Sequence, residues 1–397
     1  MKPNTKAQGG KGQNFHKTKS IKSKKTDHQK DNELDPKMLN TAFNKLYQDY
    51  SNCIVSQKPL MFVKSYACNT YKGISREVNE DRAIVVHPIL KPENTNVKTW
   101  PNLGYFAIFD GHGGESTAEY LKNNFLDCLL KNKNFPTEIK LALTQSFEKI
   151  EEDIFQLNKN KSINEIDRTG SCALIAIITD TKIYIANLGD SRAIMSINQG
   201  SKAIQLTVDH KPNNLKEYER VIKAGGKIYV EDEYPEDESG KYNEDDLKFI
   251  NNKSDFDKYK NDKEVLYRHY PSDLSIVRAL GDLHIKRKEF GGQPKGIIGV
   301  PEIFEFDHSQ RNDFIIMGSD GIFDFNTNEQ IMNAAWYIFK NKATINNYDL
   351  NELTKDACNM IIKYAMEVLN TDNLSCIVIG LEGLQKYIGT TKYKSQK

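Results

Sequence analysis

Acidic residues stand directly at the ends of several short apolar runs, and this placement constrains the fold of the chain more than any other feature. The positions are Glu80, Asp81, Asp110, Asp190, Asp320 and Asp372. A single carboxylate at a strand end is usually a solvated turn residue. Asp110 and Asp320, however, are each followed by glycine, which lets a ligand or a metal ion approach the main chain closely. We therefore predict a fold in which the ends of separate strands bring these carboxylates into one small pocket.

The chemistry of such a pocket points to divalent metal ions. Clustered carboxylates raise one another's pKa values unless a cation lies among them. Mg²⁺ and Mn²⁺ prefer oxygen ligands, and the sequence contains neither the HExxH, CxxC or CxxH elements typical of zinc sites nor a DxDxDG calcium loop. The pattern predicts a magnesium or manganese centre, and a pair of such ions would activate a water molecule and clamp a phosphoryl group.

Two residues beside these acids suit phosphate chemistry. His112 lies between Gly111 and Gly113, where an imidazole is able to protonate a leaving alkoxide. Arg76 precedes Glu80 by four positions, and a guanidinium group fits phosphate oxygens. The alternatives, an exposed loop histidine and a surface ion pair, stay open at this point.

The apolar patterns predict helices layered against antiparallel sheets. Strands are expected at 105–109, 172–179, 183–186, 314–317 and 375–381, the second and third forming a hairpin. Helical spacing marks 118–128, 143–157, 218–222, 331–338 and 353–368. Thr327 and Gln330 have capping-box spacing, and Gly225–Gly226 is a helix-stop signal. Strands in hairpin-like groups and helices in consecutive pairs favour an α+β fold.

Charge is balanced overall but not locally. The 397 residues carry 55 basic and 54 acidic side chains, a net charge of +1, which excludes a uniformly basic nucleic-acid coat and a strongly acidic solvating chain. Residues 1–30 have a formal charge of +8, so 1–50 are expected to form a disordered tail that is simply solvated, serves nuclear import or meets an acidic partner. Residues 231–246 have a formal charge of −8, and 231–266 are expected to be a surface insertion without a core element.

Several locations are argued against by the sequence. The longest clean apolar run is Cys172–Ile178, far below the ~20 residues of a membrane-spanning helix. The N-terminus lacks the apolar segment of a secretory signal. Six widely spaced cysteines without a CxxC pair are expected to be reduced thiols, which favours a cytoplasmic or nuclear protein.

Eight segments, in order from about Tyr66 to Leu381, resemble the metal-dependent protein Ser/Thr phosphatases of type 2C, the PPM family. They are SREVNED (75–81), FDGHGG (109–114), ANLGDSR (186–192), LTVDHKP (206–212), ERVIKAGG (219–226), VRALGD (277–282), GSDGIFD (318–324) and DN (372–373). One such motif alone would be a weak signal, whereas eight in order are very specific.

The resemblance implies a central antiparallel β-sandwich flanked on both faces by helix pairs, a four-layer αββα arrangement. The catalytic domain would span 51–385, with a short C-terminal tail at 386–397. The acidic insertion 231–266 falls where this family has its variable flap beside the active site.

The resemblance also implies roles for the strand-end acids. Asp110 would bridge two metal ions, and Gly111 would bind one of them through its carbonyl. Asp320 and Asp372 would hold one ion, Glu80 would act through a coordinated water with Asp81 close by, and Asp190 with Asp320 matches a weaker third-metal position. Arg76 would hold the substrate phosphate, and His112 would be the general acid.

The implied activity is Mg²⁺- or Mn²⁺-dependent hydrolysis of phosphoserine and phosphothreonine in proteins by a metal-activated water, carried out by a monomer. A non-catalytic binding module would be favoured by lost metal carboxylates, and none is lost. A two-metal phosphodiesterase or nuclease would be expected to have a basic substrate face, for which the near-zero charge gives little support.

The chain departs from the family pattern at three places. Cys172 stands where threonine is usual, and Val277 where serine is usual. Both lie on expected strands and are expected to alter packing more than chemistry. The acidic insertion near the cleft is expected to favour basic over acidic phosphopeptides through its long-range field.

Overall fold

Antiparallel sheets and the helices beside them account for most of the residues that the structure describes. The structure is a computed structural model that describes residues 53–56, 62–93, 95, 97–231, 247–260, 265–343, 349–368 and 371–395, with side chains to residue 391. The predictions for the tail at 1–50 therefore lie outside the described residues.

The strands are short and separated by tight connections. They are β1 (Ile54–Val55), β2 (Ser65–Tyr71), β3 (Arg82–Val86), β4 (Gly104–Phe109), β5 (Gly111–His112), β6 (Gly170–Ser171), β7 (Ala173–Ile178), β8 (Lys182–Leu188), β9 (Arg192–Ile197), β10 (Lys202–Gln205), β11 (Lys227–Glu231), β12 (Lys248–Phe249), β13 (Leu266–Tyr270), β14 (Leu280–Gly281), β15 (Glu302–Asp307), β16 (Asn312–Gly318) and β17 (Leu374–Gly380). The helices are α1 (Ser116–Lys131), α2 (Ile139–Asn158), α3 (Leu215–Lys223), α4 (Lys253–Tyr259), α5 (Leu283–Lys286), α6 (Asp320–Phe323), α7 (Asn328–Lys342), α8 (Leu350–Glu367) and α9 (Glu382–Ser395). The predicted strands, the hairpin of β7 and β8 and the capping box of α7 are confirmed.

Two larger sheets share a buried cluster. One has six strands in the order β1-β2-β17-β16-β9-β10, the other five in the order β15-β8-β7-β4-β3, and all pairs are antiparallel. Because side chains alternate across a strand, Phe106 and Ile108 of β4 join a cluster that also contains Ile315 and Met317 of β16. This cluster joins one face of each sheet.

The opposite face of each sheet is covered by helices. Tyr105 and Phe109 of β4 belong to the cluster of α1 and α2, where Phe125 and Phe147 lie edge to face at 4.8 Å. Phe314 of β16 packs in the cluster of α7, α8 and α9. The predicted domain boundary at 385 falls inside α9, and Ile388 beyond it is buried.

A smaller three-stranded sheet, β12-β11-β13, lies with α3 and α4 around its own buried cluster. Phe256 of α4 is 1% exposed, and its ring centroid is 4.8 Å from that of Tyr218 in α3. The prediction that 231–266 holds no core element is therefore wrong for 247–260. A seven-residue helix shows too little apolar periodicity to be recognised, and its packing partners come from distant sequence.

The described helices include none with both the length and the apolar character that a membrane crossing requires.

Candidate metal centre

The strand-end acids meet because the sheet register brings the ends of their strands together. Arg82 of β3 is paired with Phe109 of β4, so the next residues outward, Asp81 and Asp110, lie opposite each other. In the six-stranded sheet β16 pairs with β17, and the chain leaves β16 into Asp320. The Asp320 backbone N–H donates to Asp110 Oδ2 at 3.4 Å, which links the ends of the two sheets.

The carboxylates in this pocket repel one another. Burial, followed by the charges of Asp320, Asp81 and Asp190, raises the pKa of Asp110 well above its ordinary value. Burial likewise raises the pKa of Asp320 well above its ordinary value, with Asp190 the next cause. Burial raises the pKa of Asp81 to about 6. Such shifts are expected when several carboxylates share a site that lacks compensating positive charge.

The donors fit a hard divalent cation. Asp81 is 2% exposed, and its Oδ2 has no hydrogen-bond partner within the described part of the chain. A buried carboxylate oxygen without a partner is costly unless a cation or a donor satisfies it. The set of oxygen donors from Asp81, Asp110 and Asp320 is the set that Mg²⁺ and Mn²⁺ prefer.

A buried cation lies at one side of the pocket. Lys211 Nζ is 3.4 Å from Asp190 Oδ2 and 2.5 Å from Asp324 Oδ1, and the Lys211 side chain is 22% exposed. The LTVDHKP motif contained Lys211, but sequence reasoning assigned it no role. Burial raises the pKa of Asp190, and Lys211 opposes that rise.

Cys172 also reaches the pocket. Its backbone N–H donates to the Asp110 carbonyl at 2.8 Å, and its thiol donates to Asp190 Oδ1 at 3.4 Å. The prediction that this departure from the family pattern alters packing more than chemistry is therefore wrong, because the thiol contacts a predicted metal-site carboxylate. The error arose because a strand-end residue was treated as part of the strand interior.

The second edge of the pocket joins Arg76, Glu80 and Asp372. Arg76 Nη2 is 2.8 Å from Asp372 Oδ2, across 296 residues of sequence. Asn373 holds the preceding loop: its Oδ1 accepts from the Glu80 backbone N–H at 2.8 Å, and its Nδ2 donates to the Lys72 carbonyl at 2.7 Å. Burial raises the pKa of Glu80, while Arg76 opposes that rise.

His112 is held by a carboxylate that sequence reasoning did not assign. His112 Nε2 is 2.9 Å from Oδ2 of Asp282, which is 1% exposed. Burial works to lower the pKa of His112, but Asp282 outweighs it and the pKa is raised. A Cβ on Gly170 would lie 2.2 Å from Asp282 Oδ2 and 2.3 Å from His112 Nε2, so only glycine leaves room for this pair. The VRALGD motif was the available signal.

Comparisons with known proteins agree with this geometry. The family model for protein phosphatase 2C matches residues 79–374. Among the predicted site residues only Arg76 lies before the matched range.

Curated relatives and solved structures are similar over most of the chain. Probable protein phosphatase 2C 6 of Paramecium tetraurelia is 29% identical over 289 residues, covering 70% of this chain and 83% of the relative. Protein phosphatase 2C 1 of the same organism is 30% identical over 240 residues, covering 58% and 67%. The crystal structure of serine-threonine phosphatase 2C from Toxoplasma gondii aligns with a TM-score of 0.56 at 17% identity, over 83% of this chain and 99% of that chain. At this identity the structural likeness concerns the fold alone.

Proposed function

Because the chain belongs to the protein phosphatase 2C family of metal-dependent serine/threonine protein phosphatases, we propose that its strand-end pocket is the catalytic centre for hydrolysis of phosphoserine and phosphothreonine. The enzyme is a hydrolase whose substrates are phosphoproteins. The observation that carries the assignment is the meeting of Asp81, Asp110 and Asp320 with mutually raised pKa values and an unpartnered buried oxygen.

The proposed ligands divide between two ions. Asp110 would bridge them, the Gly111 carbonyl would bind one, Asp320 and Asp372 would hold one ion, and Glu80 would act through a water with Asp81 nearby. When bound, Mg²⁺ or Mn²⁺ supplies a water of lowered pKa and neutralises charge on the phosphoryl group. Asp190 with Asp320 is proposed as a weaker third position.

Two side chains would act on the substrate directly. Arg76 is 43% exposed at its side chain, so its guanidinium is accessible to a phosphate while still anchored to Asp372. His112 is proposed as the general acid: Nε2 donates to Asp282, and Nδ1 is left to give its proton to the departing seryl oxygen. Asp282 would then act as a positioning residue for the imidazole ring.

The remaining sequence predictions stay proposals. Support for the four-layer αββα arrangement comes from the three clusters that line the faces of the two larger sheets. A cytoplasmic or nuclear location, a monomeric state, an acidic partner for the tail and a preference for basic phosphopeptides rest on composition and charge. The most acidic part of the insertion, 232–246, lies outside the described residues.

The test is hydrolysis of p-nitrophenyl phosphate and of a phosphothreonine peptide with and without Mn²⁺. Asp320→Asn is expected to lose at least about 100-fold in kcat, since it removes a charge from the proposed metal site. Asp127→Asn, an exposed aspartate paired only with Lys131 along α1, is the matched control and should retain activity. Equal activity of Asp320→Asn and wild type would refute the metal mechanism, and Mn²⁺ binding without hydrolysis in wild type would favour a binding module.

A further inference from the structure

The Cys172 thiol adds a soft donor to a pocket otherwise built from oxygen atoms. Cys172 is 2% exposed and Asp190 is 3% exposed. One ligand atom each from Asp110, Cys172 and Asp190 lie within 4.8 Å of one another. The sulfur and two carboxylates thus face a common point.

The spacing of these atoms is close to that of a tetrahedral metal site. A zinc ion with a bond of about 2.3 Å to sulfur and about 2.1 Å to oxygen separates the two donors by about 3.6 Å at the tetrahedral angle. Cys172 Sγ and Asp190 Oδ1 are 3.4 Å apart. A shift of a few tenths of an ångström would therefore open this pair to a metal ion.

A second observation points to a ligand here. Asp190 Oδ2 is buried and has no hydrogen-bond partner within the described residues, although Lys211 Nζ approaches to 3.4 Å. The main chain also makes room for the sulfur: a Cβ on Gly189 would lie 2.2 Å from Cys172 Sγ. Gly189 has φ +109°, a conformation that other residues rarely adopt.

The donor set selects for particular ions. Thiolate favours thiophilic ions such as Zn²⁺ and Cd²⁺, whereas Mg²⁺ and Mn²⁺ favour oxygen. Binding replaces the thiol proton by the metal, and that proton leaves to solvent. The neighbouring carboxylates offset this cost because they attract the cation.

We propose that Cys172, Asp110 and Asp190 form a binding site for one thiophilic divalent cation of the Zn²⁺ or Cd²⁺ type. Asp110 is shared with the proposed catalytic centre, so occupancy of this site displaces Mg²⁺ or Mn²⁺ and inhibits the enzyme. The inhibition rests on the proposed function, whereas the binding does not.

The test is a Cd²⁺ titration of the metal-stripped full chain, followed by the ultraviolet absorption of the thiolate–cadmium bond and by calorimetry. Wild type is expected to gain one equivalent of this absorption, which Cys172→Ser should lack while binding Cd²⁺ at least about tenfold more weakly. Cys358→Ser removes an equally buried thiol from the helix cluster and should keep the absorption. Asp190→Asn keeps the thiol and is expected to weaken binding, which guards against a folding defect of Cys172→Ser.

The outcomes separate this proposal from the proposed function. If Cys172→Ser keeps the full absorption, or if wild type shows none, the thiophilic site is refuted whatever the phosphatase activity. If the absorption appears but wild type does not hydrolyse phosphopeptides with Mn²⁺, the site stands and the proposed function fails. If Cd²⁺ binds at Cys172 but leaves Mn²⁺ affinity unchanged, the shared use of Asp110 is refuted.

Discussion

Replacement of Lys211 by methionine removes the buried positive charge beside Asp190 while nearly preserving side-chain length. Lys211 Nζ is 3.4 Å from Asp190 Oδ2 and 2.5 Å from Asp324 Oδ1. The Asp190 carboxylate is 3% exposed at its side chain and the Asp324 carboxylate 37%. Without the ammonium group, the carboxylates of Asp190, Asp320 and Asp324 would face one another with less compensation.

The magnitude follows from the Asp190 distance. Two unit charges 3.4 Å apart interact by about 5 kcal/mol at an effective dielectric constant of about 20. The cost of burying the lysine offsets part of this, and breaking a buried pair by removing one partner typically costs about 3–5 kcal/mol. The exposed Asp324 adds little, because water screens it. We expect Lys211→Met to lower the free energy of unfolding of the metal-stripped protein by about 3 kcal/mol.

Urea denaturation with and without saturating Mn²⁺ measures this effect. Bound cations supply positive charge to the same carboxylates, so the loss is expected to shrink by about half or more when Mn²⁺ is present. Lys131→Met, which alters an exposed pair on α1, should change neither condition. An equal loss with and without Mn²⁺ would refute the idea that Lys211 and the metal ions neutralise the same charge.

Three further predictions concern single residues. Asp282→Asn is expected to lower kcat on a phosphopeptide by about tenfold or more and on p-nitrophenyl phosphate by less, since that leaving group needs little protonation from His112; equal losses would argue against positioning. Phe256→Ala is expected to cost about 3–5 kcal/mol by urea denaturation, because it empties the cluster around Tyr218; a loss below about 1 kcal/mol would contradict this packing. Burial lowers the pKa of His269 to about 4 from an ordinary 6.5, so the unfolded chain binds the proton first and stability should fall by about 1.4 kcal/mol per unit as pH drops through that window; an unchanged slope in His269→Gln would contradict this.

Local pattern was sufficient to predict the strands, most of the helices and the nature of the site. The apolar run before Asp110 is buried on both faces and had to become an interior strand, β4. Glycine after Asp110 and after Asp320 marked the two positions where the backbone closely approaches other chain segments. Carboxylates without soft ligands at recognised spacing predicted a hard metal ion, and that chemistry depends on residue type alone.

Partners that lie far apart in sequence were beyond this reasoning. His112 and Asp282 are separated by 170 residues, and neither local sequence indicates the other. Cys172 was expected to affect packing, yet its thiol reaches Asp190 because β7 and β8 begin and end at the same edge of the sheet. The short helix α4 was missed for the same reason, since the residues that bury Phe256 come from α3 and β13.

The amino-acid sequence by itself determined which segments are apolar enough to become strands and which donors stand at their ends. Only the tertiary structure decided which donors share a pocket, because the pairing register sets the distances between them. Coulomb energies and ligand geometry change steeply over a few ångströms. The thiol of Cys172 and the ammonium of Lys211 therefore gain their chemical meaning only from the fold.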